Sequence, residues 1–386
     1  MPPYDQVHEF TAALGGRPIQ FISKPGLANW DRVSPASMLL AEAISLTGEE
    51  GMLLLGCGHG ALGVALARLA RQVDMLDVSL IALEMAGLTV HANAASNARV
   101  RTSISVLPEQ AQAFDVVAIE APADRGLTRR WLVEAREALR PGGTLYLAGA
   151  NDQGARSAIA DAAALFGGAD VLAFRQGSRV AHAGKLAGVP PPAWASTGGI
   201  APGSWHEFAV EVRGHAFRLR SLPGVFSSGR LDEGTALLLG AIDIPRGAHV
   251  LDVGCGYGII GLLAARLGAA NVDMVDSNLL AVASAAENIA LDGCAVAQIF
   301  PRDGVPSEAY RRYDVVATNP PFHAGKATDY DITRGFIDGA RRALRPGGRL
   351  YLVANRFLKY DGWLRAAFER VDCVAETRSY RVWSAT

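Results

Sequence analysis

Cysteine is scarce in this 386-residue chain, with only Cys57, Cys255, Cys294 and Cys373 and no Cys-x-x-Cys pair among them. That excludes a disulfide framework and supplies no zinc-type ligand set, so reduced thiols and no bound metal are expected. No apolar run approaches the roughly 18 residues of a membrane span. The start MPPYDQVHEF lacks both the basic region and the apolar core of a secretory leader. A cytoplasmic protein without membrane contact is the expectation. Net charge is nearly absent at −1, so overall charge argues neither for nor against nucleic acid. Its distribution is uneven, because residues 310–386 carry 14 Lys/Arg against 8 Asp/Glu. Such a stretch either builds a basic surface that collects phosphates or scatters arginines over a solvated face.

What is present is a globular composition, 50% hydrophobic and 19% charged, in a chain longer than one hydrophobic core usually serves. The chain is also written twice. His8-Glu9-Phe10 recurs as His206-Glu207-Phe208, Ser23-Lys-Pro-Gly-Leu27 as Ser221-Leu-Pro-Gly-Val225, and Gly56-Cys57-Gly58-His59-Gly60 as Gly254-Cys255-Gly256-Tyr257-Gly258, all offset by 198 residues. Phe114-Asp-Val-Val-Ala118 returns as Tyr313-Asp-Val-Val-Ala317, and Ala138-Leu-Arg-Pro-Gly-Gly143 as Ala343-Leu-Arg-Pro-Gly-Gly348. One offset held across successive blocks means a tandem duplication. The join lies in the Pro/Gly/Ser-rich stretch from Val189 to Gly203, whose composition predicts an extended surface linker. Residues 1–188 and 205–386 are then two domains of one fold, joined by residues 189–204.

Short apolar runs alternate with helical stretches in each copy. In the second, His249 to Val253, Val272 to Asp276, Tyr313 to Thr318 and Arg349 to Ala354 read as strands, with helices at Ile259 to Leu267 and Leu279 to Leu291. This predicts an α/β architecture: two tandem Rossmann-like domains, each a mostly parallel twisted sheet flanked by helices. Phe208 to Arg213 and Ala216 to Arg220 alternate around Gly214 as a small hairpin ahead of the second core.

In such a sheet a ligand binds beyond the carboxyl ends of the strands. Asp252-Val-Gly-Cys-Gly-Tyr-Gly258 falls there, its glycines letting the backbone approach a ligand and the next helix presenting free N–H groups. Asp276 ends the following strand, where a carboxylate can accept from both hydroxyls of a ribose. Gly256 to Gly261 also satisfies the dinucleotide pattern GxGxxG, so a nicotinamide oxidoreductase competes, as does a turn that only packs helix on strand. Asp252 favours a different ligand: an anion there faces a pyrophosphate poorly but suits the cationic methionine end of S-adenosylmethionine.

Asn319-Pro320-Pro321-Phe322, directly after a buried strand, is the feature that decides between them. An amino group conjugated to a base is a poor nucleophile, because its lone pair is delocalised. The Asn319 amide oxygen and the Pro320 carbonyl can accept its two hydrogens, the prolines hold that carbonyl rigidly, and Phe322 can stack on the base. This is catalysis by positioning, without a strong base. A plain Asn-Pro turn is the alternative for the four residues taken alone.

Four segments carry a family resemblance: Leu222-Pro-Gly-Val-Phe-Ser227, Leu251-Asp-Val-Gly-Cys-Gly256, Asn319-Pro-Pro-Phe-His323 and Asn355-Arg-Phe-Leu-Lys-Tyr360. Through them residues 221–386 resemble the C-terminal domain of the bacterial 16S ribosomal RNA guanine-N2 methyltransferases, a family of tandem methyltransferase-like domains. The resemblance implies methyl transfer from S-adenosylmethionine to the N2 amino group of a guanosine in 16S ribosomal RNA, with that RNA or the small ribosomal subunit as partner; a monomer is expected. It further implies that Asp252, Gly254 and Gly256 line the methionine end of the cofactor, Asp276 the ribose and Asp303 the adenine amino group, with Asn319 beside it and Phe226 as a cover. His323, Lys326, Arg356 and Lys359 become candidates for contact with RNA. A sister family of similar layout modifies large-subunit RNA.

The first copy has Leu54 at the place of Asp252 and Glu120-Ala121-Pro122-Ala123 at the place of the Asn-Pro-Pro-Phe segment, while Asp77 survives at the place of Asp276. It is expected to be retained for structure and to be catalytically silent. A protein glutamine methyltransferase or an adenine-N6 DNA methyltransferase would use the same Asn-Pro-Pro-aromatic logic, but the tandem layout disfavours both. A purely RNA-binding scaffold would explain the first copy and not the second.

Overall fold

The alternating pattern produces the same order of elements twice in the computed structural model, which describes residues 4–321 and 327–386. The chain divides into two compact units, Met1–Trp205 and His206–Thr386. In the first, a hairpin of β1 (His8–Leu14) and β2 (Arg17–Ser23) precedes α1 (Pro35–Ala43), β3 (Gly51–Leu55), α2 (Ala61–Ala67), β4 (Gln72–Leu76), α3 (Leu80–Ala92), β5 (Ala98–Val100), β6 (Phe114–Glu120), α4 (Arg125–Ala138), β7 (Leu139–Ala150), α5 (Ala155–Phe166), β8 (Asp170–Arg175) and β9 (Ser178–Gly184). The second repeats it: β10 (His206–Val212), β11 (His215–Ser221), α6 (Glu233–Ala241), β12 (His249–Val253), α7 (Ile259–Arg266), β13 (Asn271–Asp276), α8 (Leu279–Asp292), β14 (Ala297–Pro301), β15 (Tyr313–Thr318), α9 (Ala327–Ala343), β16 (Leu344–Asn355), α10 (Asp361–Ala367), β17 (Val371–Glu376) and β18 (Tyr380–Ala385).

Each unit holds a seven-stranded sheet, ordered β5-β4-β3-β6-β7-β9-β8 in the first and β14-β13-β12-β15-β16-β18-β17 in the second. The first five strands of each order run parallel; β18 and β9 run against them, and the edge strands β17 and β8 pair antiparallel to those. The order reverses at the central strand, since β12 pairs with β13 on one side and with β15 on the other. That reversal opens a crevice at the strands' carboxyl ends. Strand β12 is buried along almost its whole length, as a strand covered on both faces must be.

Local chemistry sets the ends of the helices around this crevice. Helix α7 begins at Gly258, whose φ of +90° places it in the left-handed region. A Cβ at Gly258 would lie 3.2 Å from the Ala285 Cβ and the Met274 sulfur, so both backbone and space call for glycine. Asn278 caps α8 by accepting the Leu280 N–H at 2.9 Å, and Gly293 ends that helix at φ +64°. Asp232 caps α6 by accepting the Thr235 N–H at 2.9 Å.

The hairpin predicted around Gly214 forms with Val212 opposite His215. Arg213 and Gly214 both take positive φ, the two-residue turn that matches strand twist. Residues 189–204 differ from the predicted extended linker. They form a 3-10 turn at Ala193–Ser196 and fold onto the first unit. Ala195 and Ile200 are buried there, Arg130 donates to the Gly199 carbonyl at 2.9 Å, and the Arg129 guanidinium lies over the Trp194 ring. Composition reported the prolines of this stretch but not the apolar anchors between them. No helix among the described residues is long and apolar enough to cross a membrane.

Candidate functional site

Parallel strands deliver the second unit's polar groups to one edge. Val253 pairs with Val275 and with Thr318, and the Thr318 hydroxyl donates to the Val253 carbonyl at 2.8 Å. The glycine turn after β12, Asp276 at the end of β13 and Asn319 after β15 therefore stand side by side. Asp303 follows β14, the neighbour of β13. Ahead of them, the loop after β11 is tied down by Asn278 Nδ2 donating to the Gly224 carbonyl at 2.8 Å and by the Tyr257 hydroxyl donating to the Arg230 carbonyl at 3.0 Å. This loop carries Phe226, which is 64% exposed.

Asp276 secures the turn. Its Oδ2 accepts from the Gly256 N–H at 2.9 Å and its Oδ1 from the Asn278 N–H at 2.8 Å. Each oxygen keeps a lone pair for a further donor. Burial lifts its carboxyl to about 6, against the pull of those N–H groups. Asp252 is fully buried. Its Oδ2 accepts from the Gly261 N–H in the first turn of α7 at 3.1 Å, while Oδ1 has no partner among the described residues. Burial pushes this carboxyl up to about 7, and the neighbouring Asp276 carboxylate adds to the shift. An orphaned carboxylate oxygen, next to a turn where a Cβ on Gly256 would meet nothing within 4 Å, fits a ligand with a cationic group and a close backbone approach.

Asn319 is half-buried, Pro320 buried and Pro321 exposed. The Asn319 Nδ2 donates to Thr235 Oγ1 at 2.9 Å and to Asp232 Oδ2 at 3.2 Å. Phe322, His323 and Lys326 lie outside the described residues. Arg356 and Lys359 are exposed on the loop after β16. Arg356 is engaged by Glu376 at 2.8 Å, so an RNA phosphate would compete with that carboxylate for it.

Asp232, Thr235 and Phe336 belong to this site and were not picked out from the sequence. Asp232 and Thr235 sit 87 and 84 residues from Asn319. The duplication held a signal for them, since they repeat Ser34 and Ser37 at the same offset of 198. Phe336 underlies the turn, 3.7 Å from where a Gly254 Cβ would stand.

The first unit shows the same backbone with different contents. Asp77 accepts from the Gly58 N–H at 3.0 Å and the Ser79 N–H at 2.9 Å, repeating Asp276. Leu54, fully buried, replaces the Asp252 carboxylate. Around Gly56 space is shorter: a Cβ there would lie 2.8 Å from the Glu120 carbonyl oxygen and 3.1 Å from the Trp131 indole. Both Glu120 carboxylate oxygens accept, one from the Ser34 hydroxyl at 2.6 Å and the other from the Ser37 hydroxyl. Burial raises the Glu120 carboxyl.

The model of the family described as "Methyltransferase small domain" matches residues 18–182 and again 216–384. A Hahella chejuensis protein named "Ribosomal RNA small subunit methyltransferase C" is 35% identical over 281 residues, covering 72% of this chain and 79% of its own length. An Aliivibrio fischeri protein of the same name is 40% identical over 183 residues, 46% of this chain and 52% of its own. Among solved structures, the T. thermophilus 16S rRNA N2 methyltransferase RsmC, in complex with AdoMet and guanosine, superposes with a TM-score of 0.82 at 31% identity. That superposition covers 99% of this chain and 98% of the other.

Proposed function

The chain belongs to the ribosomal RNA small subunit methyltransferase C family, and on that premise we propose that it methylates the N2 amino group of a guanosine in 16S ribosomal RNA, with S-adenosylmethionine as donor. One observation carries the assignment to particular residues: the open glycine turn, the orphaned Asp252 oxygen and Asn319 converge on one edge of the second sheet. Residues 205–386 are the catalytic domain in this reading and residues 1–188 a silent one.

When bound, the cofactor supplies an electrophilic methyl group on a sulfonium. Asp252, with Gly254 and Gly256, holds its cationic methionine end, Asp276 its ribose hydroxyls and Asp303 its adenine amino group, while Phe226 covers it. Asn319 Oδ1 and the Pro320 carbonyl accept the two hydrogens of the guanine amino group and aim the nitrogen at the methyl carbon. Pro320 and Pro321 keep that carbonyl fixed, and Phe322 stacks on the base. His323, Lys326, Arg356 and Lys359 meet the RNA. Work of this kind places the protein in the cytoplasm, and because each unit buries a core of its own, a monomer suffices.

The test is nucleoside mass spectrometry of 16S RNA, free and in small subunits, after incubation with the protein and isotopically labelled cofactor. Label in a single N2-methylguanosine is expected. Label in large-subunit RNA alone, or in no guanosine, rejects the reading.

A further inference from the structure

We propose that Asp232 and Thr235 are positioning residues for methyl transfer, fixing which end of the Asn319 amide faces the reacting amino group. The inference rests on the role given to Asn319 above. An asparagine amide is nearly symmetric in shape, and rotating it by half a turn exchanges an acceptor for a donor. Only one orientation can receive the hydrogens of an amino group. The other would present N–H to N–H and turn the nitrogen away.

The geometry around Asn319 decides between the two. Asp232 Oδ2 already accepts from the Thr235 N–H at 2.9 Å and from the Thr235 hydroxyl at 3.3 Å. The threonine's single hydroxyl hydrogen is therefore spent on Asp232, and its oxygen can only accept from Asn319. Both atoms facing the amide are thus acceptors, at 2.9 and 3.2 Å from Nδ2, and they take its two hydrogens. A flipped amide would set Oδ1 against a carboxylate oxygen and a hydroxyl oxygen, with two N–H groups left over. The pair holds the NH2 end and leaves the oxygen as the end presented to substrate.

The first unit supplies an internal comparison with polarity reversed. There Ser34 and Ser37 hydroxyls donate and Glu120 accepts, at positions that repeat Asp232, Thr235 and Asn319. The three-residue contact is complete in both units. Only in the second is the central side chain an amide, whose two ends differ and whose N–H end the pair engages.

Asp232 also caps α6, so the test must separate capping from positioning. Thr235 allows this, because the cap uses its backbone N–H and the Asn319 contact uses its side chain. T235V keeps shape and cap but removes the hydroxyl, while T235S restores it. In single-turnover transfer at saturating cofactor and RNA, T235V should slow methylation about ten-fold. Cofactor affinity, the apparent Michaelis constant for RNA and the unfolding midpoint should stay at wild-type values, and T235S should recover most of the rate. D232S, which keeps a capping hydroxyl as Ser34 does, should follow T235V. In an N319A background neither change should slow transfer further, since no amide is left to orient. A wild-type rate for T235V, or an undiminished ten-fold loss on top of N319A, overturns the proposal. A wild-type rate for N319A itself overturns the mechanism assigned to Asn319 and this inference with it, whereas a slow N319A beside a fast T235V removes this inference alone.

Discussion

In the two units the same hydrogen bonds hold the glycine turn, yet the side chains differ at the central strand, Leu54 against Asp252, and at the end of the next strand, Glu120 against Asn319. Asp77 and Asp276 accept from equivalent backbone N–H groups, so this acid is needed wherever the turn is needed, whether or not a ligand follows. Asp252 and Leu54 part company because a buried carboxylate with an orphaned oxygen is costly to keep unless a cation satisfies it. The comparison separates residues that build the crevice from residues that use it. A retained aspartate is therefore weak evidence of activity, and an expensive one is strong evidence.

Breaking the comparison at Asn319 should have the largest effect. N319A should lower single-turnover methyl transfer by a factor on the order of a hundred or more, about 3 kcal/mol for one preorganised group, with cofactor affinity by calorimetry unchanged. Second comes the central strand. D252L, which installs the first unit's residue, should weaken cofactor binding by roughly 1.5–3 kcal/mol and yet raise the unfolding midpoint above pH 7.

The same carboxylate predicts a pH dependence. The folded-state value near 7 exceeds the 3.8 of the free side chain, so folding favours the protonated form. Stability from this group is full below about 3.8 and is lost as pH rises to about 7. Because a cationic ligand prefers the ionised form, its affinity should increase over the upper part of that window. D252N should flatten both curves, and thermal melts with calorimetry from pH 5 to 8 would show it.

A smaller effect sharpens the division of labour. D77A should destabilise the first unit by about 2 kcal/mol through two lost hydrogen bonds to a charged group, seen in a denaturant titration, with the rate of methyl transfer per folded molecule unchanged. D276A should lose both stability and cofactor affinity. The smallest change belongs to E120A. Trading its two hydrogen bonds for two free hydroxyls should alter stability by about 1 kcal/mol and leave transfer untouched.

Much of the fold was legible because the chain repeats itself. Repeated blocks at nearly the same offset and alternating apolar runs located the strands, and the residue types at their ends singled out Asp252, Asp276 and Asn319. Contacts between distant segments were not legible. Nothing local to Thr235 announces that its hydroxyl meets Asn319, since Asp232-Glu-Gly-Thr235 reads simply as a helix start. Phe336 and Trp131 likewise look like core aromatics on helices, and only packing shows that they underlie the glycine turns at different distances. Residues 189–204 misled for a related reason: proline content reports backbone stiffness, whereas burial of Ile200 depends on a surface contributed by another segment.

The reversed polarity of the Ser34–Ser37–Glu120 and Asp232–Thr235–Asn319 contacts sets a barrier between them in either direction. Placing glutamate at 319 alone would press its carboxylate onto Asp232, and placing asparagine at 120 alone would leave its amide free to sit either way between two hydroxyls. Each single step is worse than both ends, because the benefit of one exchange exists only after the others. On the proposed reading of a silent first unit, that unit, with Leu54 as well, would need several substitutions together to take on the second unit's arrangement.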